Sequence, residues 1–161
     1  MIDLLRREFY DPLVTVANEW MSRLSIDIAY PANHADFIMR CHSKDQVRPT
    51  PLILRYEEGG FNTLHQDLYG EIFFPFQVVL MLSQPQVEYQ GGELVFVEQL
   101  PRAQSRAEVV CAEQGEAVIF TTHFRPVKGT KGFYRSRMKH GISPLKSGTR
   151  YAVGIIFHDA T

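Results

Sequence analysis

Cysteine is nearly absent. Cys41 and Cys111 stand seventy positions apart with no CxxC pair, which excludes a disulfide framework and a zinc knuckle and fits a reducing, cytoplasmic compartment. No apolar run approaches the roughly 18–20 residues that a bilayer crossing needs. The opening stretch MIDLLRREFYDP carries charges where a signal peptide needs an apolar core, so neither secretion nor membrane insertion is expected. Net charge is lacking as well: 17 Lys plus Arg stand against 18 Asp plus Glu, so the chain as a whole has no field that draws it to nucleic acid or an anionic membrane. Internal repeats, low-complexity tracts and linker-like stretches are missing too, which makes one domain over 1–161 the simplest count.

What is there is a 45% hydrophobic composition with 12% aromatics, enough to bury a core without staples. Charge is spread unevenly. Between Thr121 and Arg150 lie eight basic residues (Arg125, Lys128, Lys131, Arg135, Arg137, Lys139, Lys146, Arg150) and no acidic one, so something anionic is expected nearby.

The first part of the chain, 1–49, reads as helical support. Asp11 suits an N-cap and Pro12 a first helical position, after which Leu13, Val16, Ala17, Trp20, Met21 and Leu24 fall on one helical face. A second, shorter helix is expected over 34–41, with Phe37, Ile38 and Cys41 as its apolar stripe. From residue 50 the punctuation changes to short β-rich runs at 52–56, 62–66, 76–83, 93–97, 109–112, 117–121, 133–140 and 151–158. Eight short strands with little helix between them predict a mainly β antiparallel sandwich or barrel over 50–161, with the helices packed on a sheet. The runs Val78 to Leu82 and Val153 to Phe157 are almost continuously apolar, as a strand buried on both faces requires.

His65 and Asp67 stand at i and i+2, a spacing that puts both side chains on one face of a strand, where they can share a metal ion. Alone, such a pair also reads as a surface hydrogen bond. His140, at the end of a late strand, would supply a third ligand. Two imidazoles and a carboxylate on one face of a metal leave adjacent positions open, the arrangement of non-haem Fe(II) oxygenases. Ten residues further on, Arg150 offers a guanidinium able to hold a carboxylate through two parallel hydrogen bonds, although a strand-end surface cation is the other reading.

The ordered series Tyr56, Gly59 and Gly60, His65 to Asp67, GGELVF at 91–96, GEAVIF at 115–120, His140 with Gly141, and Arg150 resembles the 2-oxoglutarate/Fe(II)-dependent dioxygenases, particularly the prolyl-hydroxylase-like branch. The segments RYEEGGFNTLHQDLYGE, AQSRAEVV and GIIFHDA are similar to a bacterial group often labelled proline hydroxylases. The resemblance implies a double-stranded β-helix, or jelly roll, with His65, Asp67 and His140 as iron ligands. It also implies that Arg150 binds the distal carboxylate of 2-oxoglutarate and that Tyr56 hydrogen-bonds the same co-substrate. Fe(II), 2-oxoglutarate and O2 are the implied cofactors. The implied reaction hydroxylates a small molecule or an amino-acid side chain, with release of succinate and CO2.

Two departures from the family pattern matter. Members of the narrower group carry further sequence before the position of Met1, so a covering N-terminal segment is expected to be missing here. The nucleic-acid demethylase branch carries an RxNxTxR-like signature after the distal histidine, whereas Arg150 to Ile156 reads RYAVGII without a second arginine, so nucleic acid is not the expected substrate.

His123 and Arg125 follow a strand in a loop expected near the mouth and are candidate substrate contacts. If His140 faces the metal, Ser136 and Met138 face inward with it while Arg135 and Arg137 face away. Gln77 opens an apolar strand and is either turned toward the site or an edge residue. His34 and His42 lack a carboxylate at ligand spacing and read as structural, and His158 with Asp159 does not read as a second metal site. Two other classes remain open: a cupin-like metal-binding or sensory domain without oxygenase activity, and an interaction module using the basic stretch. Arg150 separates the first of these from an oxygenase, because a simple cupin has no use for a carboxylate clamp.

Overall fold

The computed structural model describes all 161 residues. Two helices precede ten strands: α1 (Ile2–Arg23), α2 (His34–His42), β1 (Leu52–Glu57), β2 (Asn62–His65), β3 (Phe76–Met81), β4 (Tyr89–Gly91), β5 (Leu94–Leu100), β6 (Gln104–Val110), β7 (Ala117–Thr121), β8 (Phe124–Gly129), β9 (Gly132–Ile142) and β10 (Leu145–Ile156). One sheet runs β1-β10-β3-β7, with β4 also on β10, and the other runs β2-β9-β5-β6, with β8 also on β9. Every pairing between these strands is antiparallel. The two curled sheets form the jelly roll that the family resemblance implies, one case of the antiparallel sandwich or barrel that the strand pattern predicts.

Alternation explains how one sheet serves two cores. On β3 and β10, Phe76, Val78, Val153 and Ile155 point outward to meet Tyr10, Val14, Ala17, Met21 and Phe37 of the helices. Their neighbours Val79, Met81 and Ala152 point inward and pack against Leu94, Phe96 and Ile142 of the opposite sheet. Both continuous apolar runs are thus the strands covered on both sides.

Three details differ from the sequence reading. The first helix begins at Ile2 rather than beside Asp11, and Pro12 lies in its interior. An interior proline removes a helical hydrogen bond and costs about 3 kcal/mol. Tertiary packing offsets this: Ile2, Leu5, Phe9 and Leu13 all pack on the outer core, and the Tyr10 hydroxyl donates to the Pro31 carbonyl at 2.8 Å. The second difference is that β4 and β8 are additional strands. β8 contains Pro126, which is tolerated because β8 pairs only with β9 and lies at an edge. The third is that β6 occupies 104–110 rather than 109–112, since its exposed polar residues are recruited by backbone pairing with β5.

α2 starts at Asn33, whose side chain accepts from the Asp36 amide at 2.9 Å. A buried polar network then ties both helices to the C-terminus. Arg6 donates to the Phe157 carbonyl at 2.8 Å and to Asp159 at 2.9 Å, and His42 reaches the other Asp159 oxygen at 3.0 Å. His34 meets the Phe157 carbonyl at 2.9 Å, so His34 and His42 are structural here. Removing one partner of a buried ion pair leaves the other charge uncompensated. Asp159→Ala is therefore expected to destabilise the fold by about 3–5 kcal/mol, read from urea unfolding. A loss below about 1 kcal/mol, the range of an exposed pair, would mean that the network does not anchor the helices.

Candidate metal centre and co-substrate cavity

The antiparallel register sets His65 opposite His140, and their rings lie 4.3 Å apart between centroids. Gly141 permits this approach, because a Cβ there would stand 2.7 Å from the Asn62 carbonyl oxygen of β2. β2 ends at His65, and Asp67 sits just beyond the strand with its carboxylate between the two rings: Oδ1 is 3.3 Å from His65 Nε2 and Oδ2 is 3.2 Å from His140 Nε2. The ligand atoms of the three residues lie within 4.8 Å of one another.

Surrounding groups orient this triad. His65 Nδ1 is 2.7 Å from the Thr63 carbonyl, so that nitrogen carries the proton and leaves the Nε2 lone pair for a metal. Tyr69 donates to Asp67 Oδ1 at 2.5 Å, and Gln66 next door donates to the His123 and Met138 carbonyls at 2.9 and 2.8 Å. His158, which the sequence reading set aside, buttresses Asp67: its Nε2 is 3.1 Å from the Asp67 carbonyl, while Nδ1 accepts from the Phe74 amide at 3.4 Å. Burial pushes the His158 pKa down to about 4, so the ring stays neutral in that role. For Asp67, burial by itself would raise the carboxyl, but the imidazoles and the Tyr69 hydroxyl outweigh it and hold the group well below the usual carboxylate range. The same contact with Asp67, working against burial, raises His65. An anionic carboxylate between two imidazoles is the donor set for a borderline divalent ion such as Fe(II).

The triad opens on a cavity of about 110 Å³ that reaches Arg150, walled by Leu54, Tyr56, Val79, Leu94 and Phe120. Arg150 is 0% exposed. Its Nη2 lies 3.3 Å from Met81 Sδ, its guanidinium carbon stands 5.6 Å from the Tyr56 ring centre, and its Nε and Nη1 have no partner. Burial pushes its pKa down, opposed by neighbouring Tyr89 and Tyr56 rather than by any carboxylate. Gly92 makes room for it: φ is +64°, and a Cβ there would stand 3.1 Å from Arg150 Cδ and 2.3 Å from Leu145 Cδ1. A buried guanidinium without a counter-ion is costly unless an anion arrives.

The other candidates lie elsewhere. His123 is outside the cavity, its ring against Phe73 and Phe124. Arg125 is held 2.7 Å from buried Glu98 and faces a neighbouring groove of about 340 Å³, which shares the Phe120 wall with the metal cavity. Ser136, Met138 and His140 point inward, whereas Arg135 and Arg137 are exposed, with Arg135 over the Phe124 ring. Tyr69, Tyr89, Met81 and His158 were missed by the sequence reading. Of these, only Tyr69 had a local signal, two residues after a candidate ligand.

A family described as "Oxygenase, catalysing oxidative methylation of damaged DNA" matches residues 1–160. The chain belongs to this oxygenase family. An uncharacterized protein of Mycobacterium tuberculosis, found in two strains, is 44% identical over 160 residues, which is 99% of this chain and 69% of the relative. Among solved structures, a 2OG-Fe(II) oxygenase family oxidoreductase from Burkholderia pseudomallei aligns with a TM-score of 0.48 at 17% identity, over 69% of this chain and 43% of that one. A Pseudomonas putida prolyl-4-hydroxylase aligns with a TM-score of 0.47 at 18% identity, over 68% and 51%. This oxygenase thus spans less than two thirds of the length of either solved protein. Its site residues fit the Fe(II), 2-oxoglutarate and O2 set that the sequence resemblance implies. No helix of the oxygenase is long and apolar enough to cross a membrane.

Proposed function

We propose that this oxygenase hydroxylates an organic substrate using Fe(II) held by His65, Asp67 and His140 and 2-oxoglutarate held by Arg150. The observation that carries the reading is the buried, carboxylate-free guanidinium at the other end of the cavity from the triad. Held by these residues, the metal and 2-oxoglutarate would supply the oxygen-activating chemistry, with succinate and CO2 as the co-products. The chain's own residues bind and orient. Arg150 offers the distal carboxylate a guanidinium whose only hydrogen-bond acceptor in the fold is the weak Met81 sulfur, and Tyr56 closes one side of that subsite. Thr63 fixes the His65 tautomer, Tyr69 and His158 fix Asp67, and the apolar walls exclude water. A cupin-like binding domain has no need of Arg150 in this state.

The substrate class we favour is a small molecule or an amino-acid side chain, on the resemblance to proline-hydroxylase-like proteins. One observation favours a second reading. The β8–β9 hairpin exposes Lys128, Lys131, Arg135, Arg137 and Lys139, and the family description names damaged DNA. Such a cationic surface suits a phosphate backbone.

The test begins with anaerobic absorption of the protein with Fe(II) and 2-oxoglutarate. A charge-transfer band that needs both components is expected, and its absence from folded, metal-loaded protein would sink the proposal. Succinate release is then compared with free proline, a proline-containing peptide and a methylated single-stranded oligonucleotide. Stimulation by the oligonucleotide alone, weakening as salt rises, would replace the first substrate reading with the second.

A further inference from the structure

Gln77 is an amide in an apolar setting that the fold does not use. It is 3% exposed, lines the metal cavity, and its Nε2 has no hydrogen-bond partner. Leaving a buried amide unpaired costs about 1–3 kcal/mol, so an unpaired one facing a cavity points to a missing acceptor.

Register says where along the cavity that acceptor lies. On β10 the inward row runs from Arg150 through Ala152 to Ile156, and on β3 Met81 pairs with Ala152 while Gln77 pairs with Ile156. Gln77 and Arg150 therefore stand at opposite ends of this row. Across the other edge of β3, Gln77 pairs with Phe120, whose ring lies 4.8 Å from that of His140. Gln77 is thus at the metal end. The nearby Tyr69 hydroxyl is already committed to Asp67, so it cannot substitute as a donor.

The chemistry of a 2-oxo acid supplies the acceptor. A 2-oxo acid that chelates a metal through its keto oxygen and one carboxylate oxygen would keep its second carboxylate oxygen free to accept a hydrogen bond. We infer that Gln77 is a co-substrate-binding residue, its side-chain amide donating a hydrogen bond to that second oxygen. The inference rests on the proposed use of 2-oxoglutarate and adds the group that fixes its keto-acid end. Arg150 and Gln77 then grip the two ends of one dicarboxylate.

The test measures binding, independently of turnover. Anaerobic Fe(II) protein is titrated with 2-oxoglutarate and with 2-oxopentanoate, which lacks the distal carboxylate, and the charge-transfer band is followed. Gln77→Met keeps the side-chain length without a donor, and Gln77→Glu keeps the shape while replacing the donor with an acceptor. Both variants are expected to need about tenfold more of either acid, as the loss of one hydrogen bond to a charged group implies. An Arg150→Met effect should be confined to 2-oxoglutarate. Wild-type affinity for 2-oxoglutarate in a folded Gln77→Met or Gln77→Glu protein would overturn the inference. So would a loss seen with 2-oxoglutarate but not with 2-oxopentanoate, which would place Gln77 at the distal end. Failure of the wild-type protein to bind either acid would instead remove the underlying functional reading.

Discussion

Asp67→Ala is expected to abolish stoichiometric Fe(II) binding, weakening it by about a hundredfold or more, while the protein remains folded. The magnitude follows from the kind of group removed: loss of a mere supporting partner in a metal site already costs about 10–100-fold. Asp67 is the site's only carboxylate, and its two oxygens stand 3.3 and 3.2 Å from the nitrogens of both imidazoles. Without it, the site offers two neutral donors and no negative charge to offset a divalent ion. The fold should survive, because the tie from His158 is made to the Asp67 backbone carbonyl and the Gln66 clamp is untouched. Anaerobic Fe(II) titration with metal analysis of the recovered protein checks this, with circular dichroism as the folding control. Wild-type stoichiometry in Asp67→Ala would show that the triad is not the metal centre.

Arg150→Met should bind Fe(II) normally yet need about a hundredfold more 2-oxoglutarate. Two hydrogen bonds to a charged group at about 1.5–3 kcal/mol each account for a loss of this size. The substitution has a second expected effect of opposite sign. In the ligand-free protein, the guanidinium is fully buried with Nε and Nη1 unpartnered, so an apolar side chain of similar length should raise the melting temperature. Adding 2-oxoglutarate with Mn(II) as a redox-silent metal should then stabilise the wild type and leave the variant almost unmoved. Equal ligand-induced stabilisation of both proteins would remove Arg150 from the co-substrate site. A variant less stable than the wild type without ligand would show that Met81, Tyr56 and Tyr89 suffice to balance the charge.

Much of the candidate site is legible because the residues proposed for it sit in short, ordered patterns. His65 and Asp67 are two positions apart, and Arg150 follows His140 by ten on the next strand in the chain, which lies in the other sheet. The inward set of Ser136, Met138 and His140 follows from strand alternation once one member is assigned. The continuous apolar runs around Val79 and Ile155 likewise announced strands covered on both faces. By contrast, His123 looked like a mouth residue because it follows a strand. Only the packed neighbours show its ring turned against Phe73 and Phe124.

By itself, the sequence determined that the chain is mainly β with a helical N-terminal part, and which four residues could bind a metal and a carboxylate. These properties live in period, spacing and side-chain chemistry, which are local. Tertiary structure decided the rest. It continued α1 through Pro12 to Ile2, because burial of Leu5 and Phe9 offsets a broken helical bond. It set His65 opposite His140 across β2 and β9, seventy-five positions apart in the chain. It also turned His158 onto Asp67, Tyr89 onto Arg150 and Gln77 into the cavity. Such choices depend on contacts between distant segments, whose energies appear only when the sheets close around a common interior.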